Sequence, residues 1–134
     1  MKIAKQSRSE IAVILTRRER QGIRASILES WNALSESEIL AQLGVDGEYL
    51  HSVITYLGEE ISYGPNENLS QSPTLTLIRI KDEYHLIMSP QDVRLITQCL
   101  ETALRRVAHW EFHLRTSVYS KEVEELLEEF RKLL

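Results

Sequence analysis

The sequence predicts an α+β fold: a tandem duplication of a β-hairpin plus helices unit, whose four strands form one antiparallel sheet packed against helices with pseudo-two-fold symmetry. Three observations predict it. Shifted by 73 positions without a gap, the chain matches itself, so that Thr16 falls on Ser89, Ile14 on Ile87, Ile23 on Ile96 and Val45 on Val118. Under the same shift Leu50, Val53, Ile54 and Leu57 fall on Val123, Leu126, Leu127 and Phe130, so the apolar stripe of a helix is repeated too. Each half holds only about 60 residues, a size at which a hairpin and its helices bury a marginal core, and the halves must therefore complete one another. The expected organisation is a single domain, 1–134, made of two repeats (1–60 and 74–133) joined by a linker, 61–73.

Lys2 to Ser7 reads as a weak strand and Glu10 to Leu15 as a firmer one, short, apolar and β-branched, with Arg8-Ser9 turning between them. Thr16-Arg17-Arg18-Glu19 has the form of a capping box. It opens a helix to about Ala33, with Ile23, Ile27, Trp31 and Leu34 as its apolar stripe. Gly22 weakens that helix by up to ~1 kcal/mol relative to Ala, unless close packing requires the missing side chain. Ser35 to Leu43 reads as a short Ser-capped helix, with Glu38 three residues on and Gly44 free to take the positive φ that ends it. Asp46 caps the next helix, and residues 61–73 are dense in turn formers without periodicity.

In the second half, Thr74 to Ile80 and Tyr84 to Met88 form a hairpin around Lys81-Asp82-Glu83. Ser89-Pro90-Gln91-Asp92 then supplies a Ser cap, Pro at the first helical position and a carboxylate in the first turn. The stripe of this helix is Val93, Ile96, Leu100, Ala103, Leu104 and Val107. His109 to Thr116 corresponds to the short helix, and Ser120 is expected to cap a last helix with an acidic outer face.

Hydrophobic content of 43% with 27% charged residues is that of a soluble globular protein. No run approaches the ~18 apolar residues of a membrane span, and Met1 to Arg8 lacks the apolar stretch of a secretion signal. Cys99 is the only cysteine. Set among Ile96, Leu100 and Ala103, it reads as a buried, inert thiol, and a reducing, cytoplasmic setting fits. A formal charge of −4 disfavours general nucleic-acid binding.

His109-Trp110-Glu111-Phe112-His113 is the densest chemical constellation. On a helix, His109 and His113 share a face at the spacing of a two-histidine metal clamp. A third ligand has only the remote candidates His51 and His85, and Glu111 is misplaced for a His-Glu-x-x-His site. The favoured reading packs Trp110 and Phe112 and leaves both histidines at the core edge, satisfied by backbone hydrogen bonds, with no metal and no cofactor. Arg17, Arg18, Arg20 and Arg24 cluster in first turns where the macrodipole disfavours cations. An anion at the helix start would offset this. The preferred reading is a solvated face, or pairing with Glu122, Glu125, Glu128 and Glu129 of the last helix. Glu124, Glu125, Glu128 and Glu129 with Arg131 and Lys132 make a charged outer face, solvated or docked on a basic partner. No phosphate loop, dinucleotide fingerprint, nucleophile elbow or Cys-x-x-Cys pair is present, so no enzyme is expected.

From Leu86 to Leu134 the chain resembles a family of small bacterial proteins with no assigned function. Their recurring segment is a hydrophobic strand, a capped helix, Glu-Phe-(His)-x-Arg-x-Gly-Val and a Glu-rich closing helix. Glu111, Phe112, His113, Arg115 and Val118 match it, while Ser117 stands where the family has Gly, which argues against a positive φ there. The first repeat keeps only Glu38 and Val45 of this set. The resemblance implies a bacterial, cytoplasmic setting and supplies no activity.

The expected function is macromolecular binding, as a toxin-neutralising (immunity-type) or regulatory protein whose negative helix steers it onto a basic partner. Glu111, His113, Arg115, Glu125, Glu129, Arg17 and Arg18 are its candidate binding residues. The alternative is a small-molecule or metal-binding protein using the cleft between repeats, lined by His109, His113, Glu111 and Arg115. The expected partner is another protein, with no membrane, nucleic acid disfavoured, and a homo-oligomer left open.

Overall fold

Alternating apolar residues build the sheet. The computed structural model describes residues 1–58 and 74–134, so the linker expected over 61–73 lies outside the described residues. Strands β1 (Lys2–Gln6), β2 (Ile11–Leu15), β3 (Thr76–Ile80) and β4 (Glu83–Met88) form one antiparallel sheet in the order β1-β2-β4-β3. At its centre Ile11, Val13 and Leu15 stand opposite Met88, Leu86 and Tyr84, and all six side chains are buried on the helical side. Ile14 and Ile87 are half-buried on the other face, where Ile78 and Ile80 are exposed. Among the described residues the sheet is thus covered on one side only, as alternation predicts for an antiparallel sheet.

The helices are α1 (Arg17–Ala33), α2 (Glu36–Glu38, continued by a π-helical turn, Ile39–Leu43), α3 (Gly47–Gly58), α4 (Pro90–Arg106), α5 (His109–Thr116) and α6 (Ser120–Lys132). Helices α1 and α4 both have 17 residues and begin 73 positions apart, each at a capping box. Thr16 and Glu19 exchange bonds of 2.9 and 3.1 Å, and Ser89 and Asp92 exchange bonds of 2.9 and 3.2 Å. The two long helices pack on each other, α3 and α6 flank them, and the buried apolar residues of both halves form one cluster.

Three expectations are corrected. Trp31 does not belong to the buried stripe of α1; it is 36% exposed, its ring 5.3 Å from that of His51. Small residues take the contact instead. Ser26 and Ser30 are buried because their hydroxyls donate to backbone carbonyls, Ser26 to Gly22 at 2.7 Å and Ser30 to Cys99 of α4 at 3.0 Å. Ser120 is not the cap of α6: Tyr119 holds the cap position, and Ser120 is buried in the first turn. Ser117 has φ 65 although it is not glycine, and it lies 73 positions after Gly44, whose φ is 73. The αL conformation costs Ser117 roughly 1 kcal/mol. It is held there because its N–H donates to the His113 carbonyl at 2.9 Å, while the Thr116 hydroxyl bonds the carbonyls of Phe112 and Val118.

Gly22 is buried, and a Cβ there would lie 3.1 Å from Cδ1 of Leu126, so its missing side chain is what lets α6 approach α1. Cys99 is fully buried, and desolvation pushes its thiol up to about 12. A water-soluble thiol reagent at neutral pH is expected to leave the native protein unlabelled and to label it stoichiometrically in denaturant; labelling of the native protein at the unfolded rate would contradict this burial. No helix among the described residues is long and apolar enough to cross a membrane.

Candidate functional site

Helix α5 carries the richest surface. Of its eight residues only Phe112 is buried, at 0% exposure. Positions 110 and 114 lie two residues to either side of that anchor, which on an α-helix is about 200° around the axis. Trp110 and Leu114 therefore point away from the body, 76% and 78% exposed. This corrects the expectation that Trp110 packs: a short helix resting on one residue has no second inward position to offer it. Tyr119, just beyond the helix, is also exposed, and the His113 ring stacks on it with centroids 4.1 Å apart and planes at 11°.

The histidines are separately engaged. His109 Nδ1 shares a 2.5 Å hydrogen bond with the Ser120 hydroxyl, and His113 lies against Tyr119. His51 sits beside Trp31, and His85 is on β4 opposite Ile14. Among the described residues no group of three His, Cys, Asp or Glu is placed to hold a metal ion.

Charged residues fix the corner to the body. Arg115 donates to Glu29 of α1 at 2.8 Å, and its other amino group lies 3.9 Å from Glu111. The Glu29 carboxylate is nearly enclosed and the Arg115 side chain about half open. Glu111, His113 and Arg115 are thus together on α5, whereas Arg17 and Arg18 stand at the start of α1. Arg18 grips Glu122 of α6 with two bonds, 2.7 and 3.0 Å. Hydrogen bonding to Arg18 holds the Glu122 carboxyl below its ordinary value. Glu125 is exposed on α6, and Glu129 lies 3.5 Å from the Met1 amino group.

The rest of the arginine cluster does something unexpected. Arg20 and Arg24 do not reach the acidic helix but turn to the last carbonyls of α3. Arg20 Nη1 donates to Leu57 at 2.5 Å and Arg24 Nε to Ile54 at 3.2 Å, where cations complement the negative helix pole. Sequence reasoning missed this, as it missed buried Glu29; both depend on partners far along the chain. No protein-family model matches the chain, and neither a curated protein nor a solved structure matches it.

Proposed function

We propose that the protein works by binding another protein, with the outer face of α5 as the docking surface. The observation that carries this reading is the pair Trp110 and Leu114, each more than three-quarters exposed on a helix anchored from behind. Solvent-facing Trp and Tyr, with Arg nearby, are the residue types that dominate binding energy at interfaces. The fold does not require them. In the shift that superposes the caps and core stripes, Ser37, Ala41 and Asp46 stand where Trp110, Leu114 and Tyr119 do. Under the internal duplication supported by the equal lengths of α1 and α4 and the positive φ of Gly44 and Ser117, this face belongs to the second repeat alone.

The exposed carboxylates Glu124, Glu125 and Glu128 of α6 suit a partner with a basic surface, steered at low ionic strength. A toxin-neutralising or regulatory role in the bacterial cytoplasm is the form of this reading that the acidic surface favours. The test is capture from extract of the native cell at low and high salt, with wild type and a Trp110→Ala, Leu114→Ala variant. The expected result is one partner, bound about thirtyfold more weakly by the variant (a loss of about 2 kcal/mol) with an unchanged far-UV spectrum. Equal capture by the variant removes α5 as the surface, and no partner at either salt counts against protein binding itself.

A further inference from the structure

A groove of about 390 Å³ lies between α1, the end of α3 and the turn leaving α5. Three guanidinium groups, Arg20, Arg24 and Arg115, line it with one carboxylate, Glu29. Only Arg115 has a carboxylate within 4 Å among the described residues. Arg20 is 8% exposed. It spends one amino group on the Leu57 carbonyl and lies 4.9 Å over the Tyr84 ring, while its Nε is buried with no hydrogen-bond partner among the described residues. Arg24 uses only Nε, on the Ile54 carbonyl; its two amino groups have no partner among the described residues. The α3 pole offsets about half a charge, so among the described residues Arg20 and Arg24 together keep more than one positive charge with no carboxylate within 4 Å, while Glu29 and Glu111 compensate Arg115. Arg20, the buried one of the three, is costly in that condition, and a bound anion relieves the cost.

We infer that this groove is a binding site for the phosphate group of a small phosphorylated ligand. A phosphate monoester carries a charge of about −1.5 to −2 at neutral pH, which matches the excess better than a single carboxylate does. Guanidinium forks meet phosphate oxygens in pairs. The volume is larger than the ion alone needs and falls in the lower range of small-molecule pockets. The groove shares no residue with the exposed Trp110–Leu114 face, so each reading stands or falls without the other.

The test uses the full chain and inorganic phosphate, titrated at constant ionic strength and followed by amide NMR. Saturable shifts are expected at Gln21, Gly58 and Ser117, with affinity rising with pH as the phosphate monoanion gives way to the dianion. Arg24→Gln is expected to weaken binding about tenfold. Arg24→Lys, which keeps the charge and loses the fork, falls between the two. Arg17→Gln removes the same charge from an exposed position of the same helix outside the groove and is expected to leave affinity within about twofold. No saturation by about 50 mM, far above a millimolar Kd, overturns the site. An equal loss in Arg17→Gln reduces it to a general field effect and overturns it too, and acetate binding as tightly as phosphate overturns the ligand class.

Discussion

Phe112→Ala is expected to lower the free energy of unfolding by about 4 kcal/mol, read as a shift in the midpoint of urea denaturation with little change in slope. Domains of this size are stable by only about 5–15 kcal/mol, so one substitution removes a large part of the whole. The size follows from position. Phe112 is fully enclosed and is the only buried residue of α5, and a helix of eight residues has no independent stability in water. Loss of the ring therefore opens a cavity and releases the helix together. Arg115 then leaves Glu29 and His109 leaves Ser120, and the Trp110–Leu114 face loses its fixed presentation. Trp110→Ala, by contrast, stays within about 0.5 kcal/mol in stability. Equal destabilisation by the two variants would mean that α5 is not anchored through Phe112.

What could be read from the sequence was what is local. Thr16 and Ser89 each precede a carboxylate by three residues, and both caps form because the bonds they need lie within one turn. The stripe Leu50, Val53, Ile54 and Leu57 is buried as its spacing requires. The α+β class and the four-stranded antiparallel sheet follow from the same local patterns. Periodicity failed where it had to choose between neighbouring faces. Trp31 and Trp110 are large and apolar, yet Ser26 and Ser30 took the interior of α1, and the interior beside Trp110 went to Phe112 alone. Hydrophobicity ranks side chains but does not say which face a partner helix covers. The candidate site was legible only as a dense segment around His109 to Arg115. Its geometry rests on bonds that span the chain, such as Arg115 to Glu29 across 86 positions and Arg20 to Leu57 across 37, and no spacing rule reaches that far.

Asp92→Ala is expected to cost about 3 kcal/mol, more than loss of a helix cap, which typically costs about 1 kcal/mol. The cap is only part of what Asp92 does. Its carboxylate, 2% exposed as a residue, accepts from the Ser89 N–H at 2.9 Å, the Ser89 hydroxyl at 3.0 Å and the Thr74 hydroxyl at 2.5 Å. Truncation leaves these part-buried donors short of an acceptor, and each unsatisfied group adds to the cost. Thr74 is itself held by Tyr49 of α3, whose hydroxyl accepts the Thr74 N–H at 3.1 Å. The carboxylate thus joins the start of α4 to the entry of β3 and, through Tyr49, to the first half of the chain. A double-mutant cycle with Thr74→Val separates the contributions. Coupling of about 1 kcal/mol or more places the excess in the Thr74 bond, and Asp92→Asn, which keeps the shape but turns one acceptor into a donor, falls between wild type and alanine. If the alanine variant loses no more than an ordinary cap and the cycle closes without coupling, Asp92 caps α4 and adds nothing to the join between the halves.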